Sequence, residues 1–487
     1  MRRARHSAPH HLLKRTTRFL SLALFSALLL TPRISAADSL SDELTRVIRA
    51  ANLGDGLSVH ITDLKNGRER FALRAGVERN PASNMKILTA AAALATLGPE
   101  YTLRTGLYGV ARDGVMEELV LRGEGDPTLS IADLENLVRG LKERGVREVR
   151  AVTVDGSAFD DRLLPPAFDQ QPHEHASFRA AVSAVALDRG SFFLRIGPGD
   201  APGDPARVIV HGPGYFEIQS SVRTGEPGEA PNIIADQGAT EDGSKMWLRL
   251  RGVIPAGVSG VRYRRRVENP IAHAAHILAE LLESHGIARS PAVSVGPSRP
   301  DLPLLVYRES LPLAQLLAPV GKQSDNFVAE MVLKIMGMSR QRPASSEEGV
   351  EVMRDYLRLI GIPDGEGALV NGSGLFVGNR ISAKHLTTVL LAAYRDVGIR
   401  PEFISHLAIA GVDGTLARRL QALRSARIVR AKTGTLNDVI SLSGYVFGRG
   451  ADEGYAFSIL ANGVRGRQGE ARRLSDQLVE ILVNTLY

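Results

Sequence analysis

A chain of 487 residues is too long for one ordinary core, so about two or three domains are expected. Its composition, 44% hydrophobic and 23% charged, excludes a mostly disordered or fibrous chain, and the absence of cysteine excludes disulfides, thiolate metal sites and a cysteine nucleophile. The net charge of +7 resides in Arg2, Arg3, Arg5, Lys14, Arg15, Arg18 and Arg33 of an acid-free leader; the remainder is close to neutral, and no nucleic-acid partner is expected.

That basic leader continues into an apolar run from Phe19 to Leu30, then Pro32 and the small residues Ser35-Ala36-Ala37, the layout of a cleavable signal peptide over residues 1–37. An N-terminal anchor is the alternative, but the apolar run falls short of the roughly 20 residues that span a bilayer, so at most loose membrane association is expected. The expected location is extracytoplasmic, with the periplasm preferred.

Next, Leu57 to Ile61 and Phe71 to Leu73 read as strands around an Asn66-Gly67 turn. Ile87 to Leu97 reads as a helix, with Pro81 before it and Gly98 after it, which places Ser83 and Lys86 in its first turn. From about 99 to 298 short β-like runs alternate with Gly, Pro and Asp clusters, as in an inserted, strand-rich region. Arg264-Arg265-Arg266 reads as a solvated strand edge. From Pro270 the helical period returns, which is read as resumption of the interrupted domain. Ile428 to Arg430, Ile440 to Phe447 and Tyr455 to Leu460 read as consecutive strands. A final helix carries Leu474, Leu478, Ile481, Leu482 and Leu486 on one stripe that suits the face of a sheet. An α/β domain interrupted by an insert is the simplest architecture.

Three short motifs carry chemistry. In Ser83-Asn84-Met85-Lys86 a lysine one helical turn from a serine can act as its base, because a serine hydroxyl is a poor nucleophile unaided. Such a pair arises often by chance. Ser324-Asp325-Asn326 lies between two helical runs; its hydroxyl can pass a proton and its amide can hold a carbonyl, although all three residues also favour helix N-caps. Lys432-Thr433-Gly434-Thr435 sits on a strand edge, where a lysine with flanking hydroxyls suits a carboxylate and Gly434 admits a close backbone approach. Together, in this order, they form the motif set of serine β-lactamases and penicillin-binding proteins.

The long interval between Lys86 and Ser324 resembles the class C low-molecular-mass penicillin-binding proteins, the D-alanyl-D-alanine carboxypeptidase/endopeptidases. Gly123 to Leu129, Asp155-Gly156-Ser157-Ala158-Phe159, Asn371-Gly372-Ser373-Gly374-Leu375, Asn379-Arg380 and Ala410 to Leu416 also resemble that family. The resemblance implies a penicillin-binding transpeptidase-like domain, an antiparallel sheet flanked by helices (38–98 and 299–487), interrupted by two nested inserted domains. The second domain would comprise 99–160 and 233–298, and the third 161–232.

It further implies that Ser83 is acylated by the penultimate D-Ala of a peptidoglycan stem peptide, with Lys86 as base and Ser324 as proton relay. Asn326 would hold the substrate amide, and Lys432, Thr433 and Thr435 its terminal carboxylate. The N–H groups of Ser83 and Thr435 would form the oxyanion hole. Asp155, Phe159 and Asn437 would line a side-chain subsite. Peptidoglycan stem peptides and cross-links are the implied substrates, and β-lactams the implied inhibitors. Phe376-Val377 replace the family's frequent Ser-Arg, which removes an expected basic contact, and Asp188-Arg189-Gly190 stand where many relatives carry Asn-x-Asn.

A β-lactamase is the nearest rival, but no Glu-x-Leu-Asn lies between Asn326 and Lys432; an inactive wall-binding module is the other, opposed by the intact motifs. His173-Glu174-His175 and the pair His273 and His276 form no His-Glu-x-x-His pattern; they read as exposed or capping residues, and no metal or cofactor is expected.

Overall fold

Six antiparallel strands form the sheet that carries the site, in the order Glu69–Leu73, Leu57–Asp63, Gly454–Asn462, Val439–Phe447, Val429–Leu436 and Ala408–Ile409. The structure, a computed structural model, describes residues 36–290, 293–450 and 452–487, with side chains from residue 39; the leader reading falls largely outside these residues. The hairpin is present, closed by a turn in which Gly67 has φ +72°. The three late strands are also present. The Lys-Thr-Gly motif lies within its strand rather than at its end.

Helices cover both faces of this sheet. On one, Ala36–Ala51 and Gln468–Leu486 pack together, and Leu474, Leu478 and Leu482 of the latter are buried with Val59, Leu442 and Ile459 of the strands. On the other, residues 85–94 of the helix Met85–Leu97 are buried around its whole circumference by Asn326–Gly337, Ser346–Leu359 and Ala383–Arg395, and only its last turn is exposed. A helix apolar on all sides belongs inside a domain. This position desolvates any charge the helix carries.

The inserted region differs from its reading in three respects. Pro270–Ser284 does not return to the interrupted domain: with Ile131–Glu143 it covers a five-stranded sheet, in the order Val293–Val295, Val152–Asp155, Leu119–Gly123, Arg104–Tyr108 and Leu304–Glu309. The strand Leu304–Glu309 thus pairs with insert strands from beyond the expected 298/299 boundary. Third, the expected 232/233 boundary falls at the start of a strand, Asn232–Ala239, which pairs with Met246–Pro255, itself paired with Phe216–Gly225. These strands share a core with Ser191–Gly197 and Val261–Arg266. The Gly/Pro-dense stretch at 225–231 is a connection within this unit, not its edge. Arg266 is buried and paired with Glu268 at 3.0 Å, so only part of the triple arginine is solvated.

Candidate active site

The turn that carries Ser83 is a short 3-10 helix, Ala82–Asn84, joined directly to the buried helix Met85–Leu97. Asn80 braces it by accepting from the Ala82 N–H at 2.9 Å and donating to the Phe376 carbonyl at 3.2 Å. Ala82 itself has φ +46°, and Ser324 across the site has φ +61°. Left-handed backbone at non-glycine residues is costly and gathers where surrounding structure enforces it.

Gly434 explains how the turn meets the sheet. A Cβ there would fall 2.1 Å from Ser441 Oγ and 3.0 Å from both Ala82 Cβ and the Pro81 carbonyl oxygen. The missing side chain therefore lets the strand lie against the turn that carries Ser83, where the sequence reading had assigned that freedom to a substrate. Gly374, with φ +73°, approaches the same turn from the loop after Asn371; a Cβ on it would sit 1.9 Å from the Ala82 carbonyl oxygen.

Lys86 is fully buried, and its Nζ lies 3.2 Å from Ser83 Oγ. The same nitrogen donates to Asn326 Oδ1 at 2.7 Å and to the Ser373 carbonyl at 2.6 Å. Burial lowers its pKa from 10.5 to about 7, against the opposing pull of Glu330 and Asp325. A lysine so tuned holds a substantial fraction of free amine near neutral pH, as a general base requires.

Ser324 stands opposite, and Lys432 Nζ donates to its Oγ at 2.9 Å and to the Thr433 carbonyl at 2.7 Å. Lys432 is also fully buried, which, with the nearby charge of Lys86, pushes its pKa well down. It therefore faces the site through Ser324 and Thr433, with no surface of its own for a ligand. Thr433 Oγ1 donates to Thr415 Oγ1 at 2.7 Å, while Thr435 is exposed. Asn84 crosses beneath: oriented to satisfy both ends, its amide donates to the Lys432 carbonyl at 2.9 Å and accepts from Ser443. Asp325 caps the next helix through the Val328 N–H at 3.1 Å and pairs with Arg189 at 2.8 Å, so the capping role foreseen for this motif is present.

The structure thus brings together Ser83, Lys86, Ser324, Asn326, Lys432, Thr433 and Thr435. Beside them opens a cavity of about 760 Å³, lined by Thr435, Asn437, Phe178, Gln170, Phe376 and Arg380 among others. Of the three residues expected in a side-chain subsite, Asn437 lines this cavity. Asp155 and Phe159 do not line this cavity. Asp155 accepts from Arg122 at 3.1 Å, Ser298 Oγ at 2.5 Å and the Ser157 N–H at 2.9 Å; burial works to raise its pKa, but the bonds from Ser157 and Ser298 hold it below the usual range. Phe159 packs under Gly125 in the core. Asp155 ties strands of the insert together, whereas Phe159 packs in the core that contains the helices Met85–Leu97 and Asn326–Gly337. Phe178 occupies the cavity wall instead, and its carbonyl accepts from Asn326 Nδ2 at 3.1 Å.

The sequence reading also passed over Thr415 and Asn371, although both lie inside quoted segments. Asn371 Oδ1 accepts from the Gly374 N–H at 2.9 Å and from Asn379 Nδ2 at 2.8 Å, which locks the loop that carries the Ser373 carbonyl. The histidines differ from expectation: His273 is buried beside Tyr215, with burial lowering its pKa to about 4, and His175 lies 3.2 Å from Glu268. Among the described residues no group of three or more His, Asp or Glu is placed to hold a metal ion.

Comparison with known proteins agrees with this arrangement. Residues 40–485 match the D-Ala-D-Ala carboxypeptidase 3 (S13) family. A D-alanyl-D-alanine carboxypeptidase from Actinomadura sp. is 32% identical over 84% of this chain and 78% of the relative. The D-alanyl-D-alanine carboxypeptidase DacB of Haemophilus influenzae is 30% identical over 83% of this chain and 86% of its own. In three dimensions, penicillin binding protein 4 from Haemophilus influenzae superposes with a TM-score of 0.75, covering 90% of this chain and 99% of the other at 24% identity. Buried base, facing serine, Lys-Thr-Gly strand and a match over nearly the whole described chain converge: the chain belongs to the D-Ala-D-Ala carboxypeptidase 3 (S13) family and is a serine-type D-Ala-D-Ala carboxypeptidase.

Proposed function

We propose that Ser83 is the nucleophile of this carboxypeptidase and that the observation carrying the assignment is the buried Lys86 amine 3.2 Å from its hydroxyl. Lys86 takes the hydroxyl proton as Ser83 Oγ attacks the penultimate D-Ala carbonyl of a peptidoglycan stem peptide. The N–H groups of Ser83 and Thr435 receive the developing oxyanion. Ser324, held by Lys432, passes a proton to the leaving D-Ala amine, and water then hydrolyses the acyl-enzyme. Asn326 holds the substrate amide. Thr433 and Thr435 bind the terminal carboxylate, and Lys432 braces them through its bonds to Ser324 Oγ and the Thr433 carbonyl.

β-Lactams acylate the same serine, and cross-linked peptides enter the same site for endopeptidase cleavage. Asn437 and Phe178 form the wall of a side-chain subsite, while Asp155 is bonded to Arg122, Ser157 and Ser298 and Phe159 is buried among the catalytic helices. The interrupted domain resumes after the strand Leu304–Glu309, and a nested unit spans about 191–266. Residues 1–37 direct export to the periplasm, with no nucleic-acid partner and at most loose contact with the membrane; among the described residues no helix is long and apolar enough to cross one.

Incubation with purified muropeptides tests the reading. The enzyme should release one D-Ala from pentapeptide monomers and cleave cross-linked dimers, and Ser83→Ala should do neither; equal product from that variant would refute it.

A further inference from the structure

The helix Asn326–Gly337 carries a second ionisable group beside the site, which the reaction above does not use. Glu330 lies one turn beyond Asn326 on the same face and is 1% exposed. A carboxylate at such depth needs donors. Oε1 accepts from the Ser373 N–H at 2.7 Å and Oε2 from the Gly372 N–H at 3.2 Å, and the Ser373 hydroxyl is a further donor.

These amides belong to the loop whose Ser373 carbonyl accepts from Lys86 Nζ at 2.6 Å. The peptide after that carbonyl is fixed by its own N–H, which Gly374 donates to Asn371 at 2.9 Å. The peptide before it is fixed by Glu330 and by Thr89, whose hydroxyl donates to the Gly372 carbonyl at 2.7 Å. The carbonyl on the amine is thereby oriented from both sides.

The charges facing Lys86 are Glu330 from this helix, Asp325 from its N-cap and Lys432 from the sheet. Asp325 is already paired with Arg189. The donors to Glu330 are neutral, two backbone amides and the Ser373 hydroxyl, and Lys86 is the cation that faces its charge. Burial raises the carboxyl pKa above its ordinary value, opposed by the Ser373 hydroxyl, the Gly372 and Ser373 amides and Lys86, which all favour the ionised form.

We propose that Glu330 is a positioning residue for acyl transfer: its carboxylate holds the Gly372–Ser373 backbone against Lys86 and supplies the negative charge that receives the ammonium formed when Lys86 takes the Ser83 proton. The inference rests on the assignment of Ser83 and Lys86 above.

The test is the second-order rate of acylation by a fluorescent penicillin, followed across pH on the full chain and on Glu330→Gln and Glu330→Asp, with thermal unfolding as a check of folding. Glutamine removes the charge and turns an NH2 toward one of the two amides. Its rate should fall on the order of tenfold to a hundredfold, since small displacements of a reacting group are costly. Its acidic limb should move down by about one pH unit, because Lys86 loses an opposite charge. Aspartate keeps the charge but shortens the reach, so its rate should fall with the limb in place.

A folded Glu330→Gln with the parent's rate and limb would overturn the proposal. If that variant fails to fold, an unchanged rate in Glu330→Asp would do the same. Ser83→Ala, run alongside, should take no label; labelling there would sink the underlying assignment and not the role of Glu330.

Discussion

At the scale of single residues, the site works by desolvation. Lys86 sits on the part of its helix that is buried on every side, and that burial brings its pKa to about 7 even though two acids pull the other way. The reactive form is the free amine, present above that pKa, so the acylation rate should rise with pH through about 7 and level off above it. Lys86→Ala should lower the rate by roughly a hundredfold to ten-thousandfold, the usual share of a general base, as measured with a fluorescent penicillin. Asp155 has a different purpose, closed off among Arg122, Ser157 and Ser298. Asp155→Ala should reduce stability by about 1–3 kcal/mol, seen as a lower melting temperature, with penicillin acylation unchanged.

The contrast shows what single residues reveal without a structure. Ser83, Lys86, Ser324 and Lys432 were legible as a group because the chemistry proposed for them restricts their residue types, and the structure brings the four together. Asp155 and Phe159 do not line the cavity beside Ser83, and their residue types gave no warning, because an Asp-Gly-Ser turn and a buried Phe are read equally well as binding or as folding. The Phe178 carbonyl was invisible, since any residue supplies that atom.

Among elements, the decisive contact is between the turn that carries Ser83 and the Lys-Thr-Gly strand. Ser441 Oγ donates to the Pro81 carbonyl at 2.7 Å, and Gly434 leaves the gap that this bond spans. Gly434→Ala should force the turn from the strand, costing about 1–3 kcal/mol by overpacking and lowering acylation along with the melting temperature. An alanine variant as stable and as reactive as the parent would show that the gap has no such role.

Elements with a clear local signature were read correctly, among them the Asn-Gly hairpin and the C-terminal helix with its single apolar stripe. The helix Ile131–Glu143 was missed despite its capping box of Ser130 and Asp133 and the buried Leu134, Leu137, Val138 and Leu141. It stands within a stretch punctuated by Gly, Pro and Asp, and that punctuation dominated the reading. The strand Leu304–Glu309 could not have been placed by any local signal, because its partner Arg104–Tyr108 lies far away in the chain.

Across the whole molecule, the insert closes one side of the active site. Asn371 Nδ2 donates to the Pro166 carbonyl at 3.0 Å, Gln170 exchanges bonds with both backbone groups of Val377 at 2.8 and 3.2 Å, and Asn326 Nδ2 reaches the Phe178 carbonyl. Deeper, Lys334 pairs with Asp160 and donates to the Arg162 carbonyl at 2.8 Å. The segment from about 160 to 178 is therefore fastened to the catalytic helices and forms part of the cavity wall. Phe178 lines that cavity with 45% of its surface exposed, so its ring is free to meet a ligand there. Phe178→Ala should lower kcat/KM for stem peptides about tenfold, as loss of an apolar pocket contact does, with penicillin acylation and melting temperature nearly unchanged. A matching loss for both substrates would place Phe178 in the support of the nucleophile instead.

The most direct test of the whole account is mass spectrometry of the intact protein and its peptides after brief exposure to penicillin. One acyl adduct should appear, on the peptide that contains Ser83, and none on Ser83→Ala; an adduct on any other residue, or no adduct on the folded parent chain, would contradict it.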